Sequence, residues 1–288
     1  MSPFAYTLVK DRTGNVYRLP VFMTQAVIDS ILDHFVVWND DLFIVTYPRS
    51  GTTWMQQIVH LLFNHGVQGS DHLEVHIPYL ERAIAFSGMA RLQQKKEKRF
   101  FKTHLPFTFG LHTRNPKAKF IYVARNPKDC ALSLYYFMSN NYRIAYKGSW
   151  DEFLHLFIAG ELIYGKWFDH VLSWWNASRK FDNILFLTYE SMHQNPEGII
   201  SRVASFMETT VTQELMAQIV QKTSFNEMLE NPKANLSWAA WRQNASTKPL
   251  RKGCVGEWQS HFNPAQNDQF EAICRQMEAM NGPSFVFV

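Results

Sequence analysis

Residues 43–54 read Phe-Ile-Val-Thr-Tyr-Pro-Arg-Ser-Gly-Thr-Thr-Trp, an apolar run followed by a polar turn that contains one glycine. The β-branched run predicts a strand, and the turn predicts a tight loop whose two threonines can cap the next element. After the loop, Met55, Ile58, Val59 and Leu62 recur at helical spacing. The pattern therefore predicts a strand, a loop and a helix whose first free backbone N–H groups point out of the loop. Such a loop attracts anions, phosphate above all.

This loop differs from the phosphate cradle of nucleoside triphosphatases. That motif reads Gly-x-x-x-x-Gly-Lys-Ser/Thr, whereas here one glycine is present and the cation, Arg49, precedes the serine. A magnesium-dependent triphosphatase is therefore disfavoured. An ordinary strand-to-helix turn with Arg49 in solvent explains this stretch equally well, so other parts of the chain must decide between the two interpretations.

Composition indicates a globular chain with a large core. Of the 288 residues, 46% are hydrophobic and 15% are aromatic. The net charge of +4 mildly favours anionic ligands and is too diffuse to indicate nucleic acid. No apolar run has the length of a signal-peptide core or a bilayer span, so we expect a cytoplasmic protein with no membrane partner. The separated cysteines, Cys130, Cys254 and Cys274, predict neither a disulfide framework nor a zinc site.

Three further predicted strands also end in polar residues. They cover residues 99–103, 119–124 and 183–188, and the residues at their ends are Lys102-Thr103-His104, Arg125-Asn126 and Tyr189-Glu190. Strands that alternate with helices predict a central parallel sheet flanked by helices, an α/β fold. Ligands of such sheets bind beyond the carboxyl ends of the strands. We therefore expect Arg49, Lys102 and Arg125 to converge on one anion.

The rest of the chain is organised around this sheet. Helices are predicted at residues 25–32 behind Thr24, from Pro127 through Met138, across 150–175 as one stretch of helical period, at 196–206 and from Phe225 to Leu229. Residues 1–20 are expected to be irregular. Without repeats or linkers, residues 1–288 are predicted to form one domain.

His104 is the candidate acid or base of this edge, because its side chain can exchange a proton near neutral pH. A single histidine is as often part of a core or loop, but its place between cationic strand ends favours a general base. Another segment, His72-Leu73-Glu74-Val75-His76, does not match the zinc motif His-Glu-x-x-His, and Pro78 opposes a longer helix. We expect no metal site.

Residues 245–262 are predicted to form a loop that closes over a bound phosphate. Arg251 and Lys252 precede Gly253 there, and loops of this composition commonly contact phosphates. A surface glycine turn with solvated cations is the alternative.

Four segments together resemble the cytosolic sulfotransferases that use 3′-phosphoadenosine 5′-phosphosulfate. In order and spacing these are residues 47–54, 102–106, 122–129 with Ser133, and 251–258. The resemblance extends from about Val37 to Phe270. It implies a single α/β domain with a phosphosulfate-binding strand-loop-helix. It also implies transfer of a sulfonate group to a hydroxyl or amine of a small molecule, which leaves adenosine 3′,5′-bisphosphate and requires no metal.

The resemblance implies a role for each matching residue. His104 corresponds to the general base, with Lys102 and Arg49 near the transferring group. The donor-binding positions are Arg49, Ser50, Gly51, Thr52, Thr53 and Trp54 at the phosphosulfate, Arg125, Ser133, Arg251, Lys252 and Gly253 at the 3′-phosphate, and Trp54, Tyr189, Thr223, Phe225 and Leu250 around the adenine. For the acceptor, the aromatic candidates are Phe22, Tyr79, Phe107, Tyr136 and Phe137.

Three departures from the family pattern are visible. One is Pro249-Leu250 before Arg251, where many members of the family carry Phe-Met that packs on the adenine. Arg49 stands where the family usually has lysine, so we expect it to stabilise the leaving phosphate by charge and hydrogen bonds rather than by giving up a proton. The segment that matches a dimerisation motif instead contains Gln259, Asn263-Pro264 and Asp268. We expect a monomer or a homodimer with this motif altered. A nucleotide-dependent small-molecule kinase and a catalytically silent nucleotide-binding protein remain alternative functions, since both need a phosphate-binding edge.

Overall fold

The computed structural model describes residues 2–94, 98–238 and 250–286. Its strands are β1 (Thr7–Lys10), β2 (Val16–Leu19), β3 (Leu42–Thr46), β4 (Phe100–Thr103), β5 (Lys119–Ala124) and β6 (Ile184–Thr188). Its α-helices are α1 (Gln25–His34), α2 (Thr52–Phe63), α3 (Leu73–His76), α4 (Leu80–Ser87), α5 (Met89–Gln93), α6 (Pro127–Ser139), α7 (Trp150–Ala159), α8 (Trp167–Ser178), α9 (Tyr189–Gln194), α10 (Pro196–Phe206), α11 (Gln213–Lys222), α12 (Phe225–Glu230) and α13 (Pro264–Ala279). Short 3₁₀ turns cover Phe107–Phe109, Leu111–Arg114 and Glu257–Ser260.

The central sheet is parallel, with strand order β4-β3-β5-β6. Ile44 of β3 pairs with Lys102 on one side and Ile121 on the other. The chain leaves β3 toward β4 on one side and returns to β5 on the other, and such a change of direction opens a crevice at the carboxyl ends of the strands. The predicted α/β fold, with a parallel sheet, is confirmed.

Helices cover both faces of the sheet because neighbouring strand residues point to opposite faces. Phe43 and Tyr122 belong to one buried cluster, which includes apolar residues of α1, α6, α7 and α8. Ile44 and Val123 belong to the other, which includes residues of α2 and α10. Most strand residues are therefore apolar, as expected for a sheet buried on both sides.

Several helix boundaries follow the predicted signals. Thr24 caps α1 by accepting a hydrogen bond from the Val27 amide, and Pro127 occupies the first turn of α6 behind the cap residue Asn126. The helix predicted at residues 196–206 has those bounds, because Pro196 begins α10 after the cap residue Asn195. Within the described residues, no helix has both the length and the apolar character that crossing a membrane requires.

Two predictions about secondary structure are wrong. Residues 1–20 are not irregular, because β1 and β2 form an antiparallel hairpin in which Thr7 pairs with Leu19. Residues 150–175 are not one helical stretch, because α7 ends at Gly160 in the left-handed conformation and α8 begins at Trp167. The segment between these two helices contributes Tyr164 to the cavity described below.

Candidate functional site

The carboxyl ends of the four parallel strands border one cavity of about 280 Å³. Residues predicted for the donor, the base and the acceptor share its wall. These are Phe22, Arg49, Gly51, Thr52, Thr53, Trp54, Tyr79, Lys102, His104, Arg125, Ser133, Phe137, Tyr189, Thr223, Phe225, Leu250, Arg251, Lys252 and Gly253. The sheet therefore brings together segments that lie far apart in the sequence. Residues 245–249 of the predicted nucleotide loop lie outside the described residues.

The loop after β3 is held in an unusual backbone conformation. Arg49 has φ of 71° and Gly51 has φ of 98°, both in the left-handed region. A Cβ on Gly51 would lie 2.7 Å from the Tyr189 ring, so only glycine fits there. The threonine caps that the sequence predicted are not formed: Gly51 is the cap residue of α2, and the Thr52 hydroxyl instead lies 2.7 Å from the Thr46 hydroxyl.

Ser50 differs from its neighbours in the loop. Its hydroxyl lies 3.7 Å from the Cys130 thiol and the residue is fully buried, so this side chain is behind the loop and not on the cavity wall. Ser50 is not among the residues that line the cavity, and its contact with the donor stays a prediction. The helix amides that follow the loop remain the natural anion-binding groups at this point.

Three arginines surround the loop. The Arg49 Nε donates to the Ser133 hydroxyl at 3.2 Å, and the Arg49 guanidinium carbon lies 5.2 Å from the centre of the Phe137 ring. Burial, and then the charges of Arg125 and Arg251, lower the pKa of Arg49 to about 10. Positive charges this close repel one another. A bound anion would therefore stabilise the charged forms of all three arginines.

Arg125 reaches across the cavity to two loops. Its Nη groups donate to the carbonyl oxygens of Arg49 at 3.3 Å and Cys254 at 2.9 Å, and its guanidinium lies 4.3 Å from the Tyr189 ring centre. The Nε atom is buried and has no hydrogen-bond partner among the described residues. A buried donor of this kind needs an acceptor, and a phosphate oxygen supplies one.

Glu257 organises the cations of the nucleotide loop. Its carboxylate accepts hydrogen bonds from both Nη groups of Arg251 and lies 2.9 Å from the Lys252 Nζ. The Glu257 side chain is only 5% exposed, whereas the side chains of Arg251 and Lys252 are 25% and 55% exposed. Glu257 was not predicted as a site residue, although it directly follows Gly256 in the motif.

His104 is held in the orientation that a base requires. Its Nδ1 lies 2.9 Å from the carbonyl oxygen of Thr46, which can only accept a hydrogen bond. The Thr46 hydroxyl, which can donate or accept, lies farther from Nδ1, at 3.1 Å. We therefore assign the proton to Nδ1, which donates to the carbonyl oxygen, and in the neutral ring Nε2 keeps the lone pair. Burial, with further contributions from Lys102, His170 and Arg49, lowers the pKa of His104 to about 3. The imidazole is therefore neutral near pH 7, with a lone pair on Nε2.

The carboxylate of Glu74 anchors Lys102. In the sequence, Glu74 stood out only as a residue of the segment compared with the zinc motif. The Lys102 Nζ lies 2.7 Å from Glu74 Oε2, and Glu74 Oε1 accepts from the Tyr79 amide at 3.1 Å. Glu74 is therefore a missed member of the site. Among the residues that the structure describes, no group of three or more His, Cys, Asp or Glu side chains is arranged to hold a metal ion.

The aromatic candidates for the acceptor divide into two groups. Phe22, Tyr79 and Phe137 line the cavity. Phe107 does not, because its ring stacks on His112 at 3.7 Å between ring centres and packs against Trp174. Tyr136 does not either: its hydroxyl lies 3.0 Å from His261 Nε2, and Arg251 lies over its ring at 4.5 Å. Phe107 and Tyr136 are therefore not among the residues that line the cavity, and their contact with the acceptor stays a prediction.

Tyr164 is a wall residue that the sequence analysis missed. Its hydroxyl is hydrogen-bonded to that of Tyr79, and its ring centre lies 5.5 Å from that of His104. The Tyr79 ring centre lies 5.4 Å from that of His104. Because the sequence indicated one continuous helical stretch here, nothing in the pattern indicated that Tyr164 would leave the helix and face the cavity.

Glu81 links α4 to the strand end that carries His104. Its carboxylate accepts a hydrogen bond from the Thr103 hydroxyl, which in turn accepts from the Leu105 amide at 3.1 Å. These two bonds fix the backbone on either side of His104. Glu81 is fully buried, and burial raises its pKa to about 7.

Because the pKa of Glu81 is raised, we expect the folded chain to lose part of its free energy of unfolding as the pH rises. That pKa is about 7 in the folded chain against the ordinary 4.5, so the folded state binds the proton more tightly. This stabilisation is complete below the lower value and disappears as the pH passes through the higher one. Between about pH 5 and about pH 8, Glu81 should cost about 3 kcal/mol of unfolding free energy.

Denaturant titrations at the two pH values test this expectation. Glu81→Gln should lose less stability over that interval than the original chain, and Glu230→Gln, at an exposed position, should behave like the original chain. If the unfolding free energy of Glu81→Gln depended on pH as that of the original chain does, the Glu81 carboxyl would not be the source of the pH dependence.

The chain can now be compared with known proteins. The sulfotransferase domain family matches residues 39–282. Sulfotransferase 1B1 of Mus musculus is 36% identical over 281 residues, which cover 94% of this chain and 93% of that protein. Sulfotransferase 1C2 of Homo sapiens is 37% identical over 270 residues, covering 90% and 89%.

Solved structures agree with the sequence comparison. The crystal structure of mouse sulfotransferase SULT7A1 complexed with PAP has a TM-score of 0.75 and 28% identity, and the alignment covers 97% of this chain and 96% of that one. Retinol dehydratase in a complex with retinol and PAP has a TM-score of 0.81 at 23% identity, covering 95% and 90%, and shows the shared fold. The chain therefore belongs to the sulfotransferase family, and the predicted enzymatic activity, transfer of a sulfonate group, is confirmed.

Proposed function

We propose that this sulfotransferase passes a sulfonate group to a hydroxyl or amine of a small molecule, with His104 as the general base. The observation that carries the proposal is the position of one neutral histidine, fixed through Nδ1, in the same cavity wall as Arg49, Arg125 and Lys102. The donor is 3′-phosphoadenosine 5′-phosphosulfate, since SULT7A1 was crystallised with PAP, the nucleotide that such a donor leaves behind.

The residues present fit this donor. Backbone amides at the start of α2, with Arg49, face the position proposed for the phosphosulfate. Arg125, Ser133, Arg251 and Lys252 are proposed to hold the 3′-phosphate, and the unpartnered Nε of Arg125 supports that assignment. When bound, the donor supplies the sulfonate group and a bisphosphate leaving group.

An aromatic pocket is proposed for the adenine. Trp54 and Tyr189 pack edge to face, with ring centres 5.5 Å apart. The Trp54 Nε1 is buried and, among the described residues, has no hydrogen-bond partner. Gly253 has φ of 64°, and a Cβ there would collide with the Phe225 ring. Trp54, Tyr189, Phe225 and Gly253 all line the cavity, which supports placing the purine base among them.

In the proposed reaction, the acceptor proton moves to His104 Nε2 while the acceptor oxygen or nitrogen forms a bond to sulfur. The bond from sulfur to the bridging phosphate oxygen breaks, and that oxygen keeps its electron pair on the bisphosphate. Negative charge grows on the leaving phosphate, next to Arg49 and Lys102. Fixed cations and amides at such positions commonly provide most of the rate acceleration in this type of transfer.

A location and an assembly are also proposed. We place the protein in the cytoplasm and expect a monomer or a homodimer. In the segment with the altered dimerisation motif, Asn263 caps α13 reciprocally with Gln266, and Pro264 begins the helix. These residues therefore have a structural role in the chain itself.

A transfer assay tests the proposed function. The protein is incubated with a donor carrying radiolabelled sulfur, a panel of phenols, alcohols, sterols and amines, and EDTA. We expect a labelled acceptor and an equal amount of bisphosphate, with no effect of the chelator. In a parallel assay with ATP as the donor, phosphate transfer that occurs without EDTA and is abolished by EDTA would instead identify a kinase. Tight bisphosphate binding without transfer to any acceptor would identify a silent nucleotide-binding protein.

A further inference from the structure

Two arginines line the cavity but are not among the predicted donor residues. Arg82 lies on α4, three positions after Tyr79, and Arg143 lies between Asn141 and Ile144 beyond the end of α6. Both side chains are half-buried. Neither was identified from the sequence, and the reaction proposed above does not use them.

Arg82 and Arg143 differ from the cavity cations Lys102, Arg251 and Lys252 in having no carboxylate partner among the described residues. Glu74 is paired with Lys102 at 2.7 Å, and Glu257 is paired with Arg251 and Lys252. Within residues 2–94, 98–238 and 250–286, no ion pair involves Arg82 or Arg143. The Arg143 Nε donates to the Tyr142 hydroxyl at 3.0 Å, a neutral partner. Two positive charges of this wall are therefore not neutralised by the protein.

The elements that carry these arginines also carry the aromatic wall. Phe22 packs edge to face on Tyr79 at 6.0 Å and contacts Phe86 of α4 at 5.7 Å, so Arg82 belongs to the same side of the cavity. Phe137, on α6, leads into the turn that carries Arg143. A ligand with a hydroxyl at His104 and an apolar body against these rings would lie in the cavity that both arginines line.

We propose that the acceptors of this enzyme are hydroxy compounds that also carry an anionic substituent, such as a carboxylate, which Arg82 and Arg143 bind. This inference rests on the proposed function and specifies its acceptor. A guanidinium binds a carboxylate through two parallel N–H groups, and such charge-assisted bonds are stronger than neutral ones. Partial burial strengthens the attraction further.

Acceptors that differ only in charge test the proposal. One matched set is para-hydroxyphenylacetate, its uncharged amide and tyramine, and a second is para-hydroxycinnamate and its amide. With the donor saturating, KM should be about tenfold lower for each carboxylate than for its amide. The value for tyramine should be the highest of its set. Since the charged group is remote from the reacting oxygen, kcat should change little.

Variants assign the preference to the two arginines. In the double variant Arg82→Gln and Arg143→Gln, KM for the carboxylates should rise to that of the amides, while KM for the amides stays unchanged. Arg179→Gln, at an exposed position, is the matched control and should keep the preference. Equal KM values for carboxylate and amide in the original enzyme, or a preference that survives in the double variant, would overturn the inference. Sulfonation of none of these compounds or of the wider panel, with bisphosphate binding intact, would overturn the proposed function itself.

Discussion

Replacing His104 with glutamine is expected to lower kcat by about 10²–10⁴-fold, the range that general acid–base catalysis supplies. In the structure, Nδ1 donates to the Thr46 carbonyl, which leaves Nε2 as the atom that takes the acceptor proton. Glutamine keeps a polar side chain of similar reach but cannot take up a proton near neutral pH. The lost rate should appear in the chemical step, measured by rapid quenching of a single turnover with bound donor.

Bisphosphate binding provides the control for this variant. Calorimetry should give nearly the same dissociation constant for His104→Gln as for the original enzyme, because the proposed donor contacts come from other residues. A matched substitution, His193→Gln, removes another cavity histidine, one that packs on Trp54 at 4.8 Å. It should change donor affinity more than the rate of the chemical step. Equal single-turnover rates in the original enzyme and His104→Gln would exclude His104 as the base.

Replacing Arg125 with glutamine is expected to weaken bisphosphate binding by about 10–100-fold, as the loss of a charged hydrogen-bonding partner usually does. Arg125 is 7% exposed, and its Nε is aimed at no acceptor among the described residues. Glutamine can retain a hydrogen bond to the Cys254 carbonyl, so the loss should report the missing charge rather than a collapsed loop.

The choice of nucleotide distinguishes the loss of the Arg125 charge from a collapse of the loop. Adenosine 5′-monophosphate lacks the 3′-phosphate that Arg125 is proposed to bind. Arg125→Gln should therefore lose affinity for the bisphosphate while its affinity for the monophosphate changes little. An equal loss for both nucleotides would mean that Arg125 supports the loop and does not contact the 3′-phosphate.

Much of the donor side of the site could be predicted from the sequence because local patterns encode it. The apolar run ending at Thr46 specifies a strand, and the glycine that follows specifies a turn that no other residue can make against Tyr189. Parallel pairing then places the ends of β3, β4, β5 and β6 at one edge. These steps need no knowledge of side-chain packing.

The acceptor side depends on packing and was predicted less well. Tyr136 and Phe137 are neighbours on α6, and residues next to each other on a helix point about 100° apart. Only Phe137 faces the cavity, and nothing in the aromatic pattern distinguishes the two. Tyr164 and Glu74 were missed because each lies in a short segment whose direction is set by contacts with other elements.

The N-terminal hairpin was missed for a related reason. Each of its strands has four residues, and Leu8 and Val16 are exposed, so the alternation that marks a half-buried strand is weak. Its pairing is set by register with a distant partner strand rather than by local preference.

A crystal structure of the enzyme with adenosine 3′,5′-bisphosphate and a phenolic acceptor tests the central claim most directly. The account predicts the acceptor hydroxyl about 2.6–3.2 Å from His104 Nε2, the reach of a general base, and the 3′-phosphate on Arg125 and Arg251. An acceptor hydroxyl directed away from His104, or a nucleotide bound outside the cavity at the ends of β3 and β5, would contradict it.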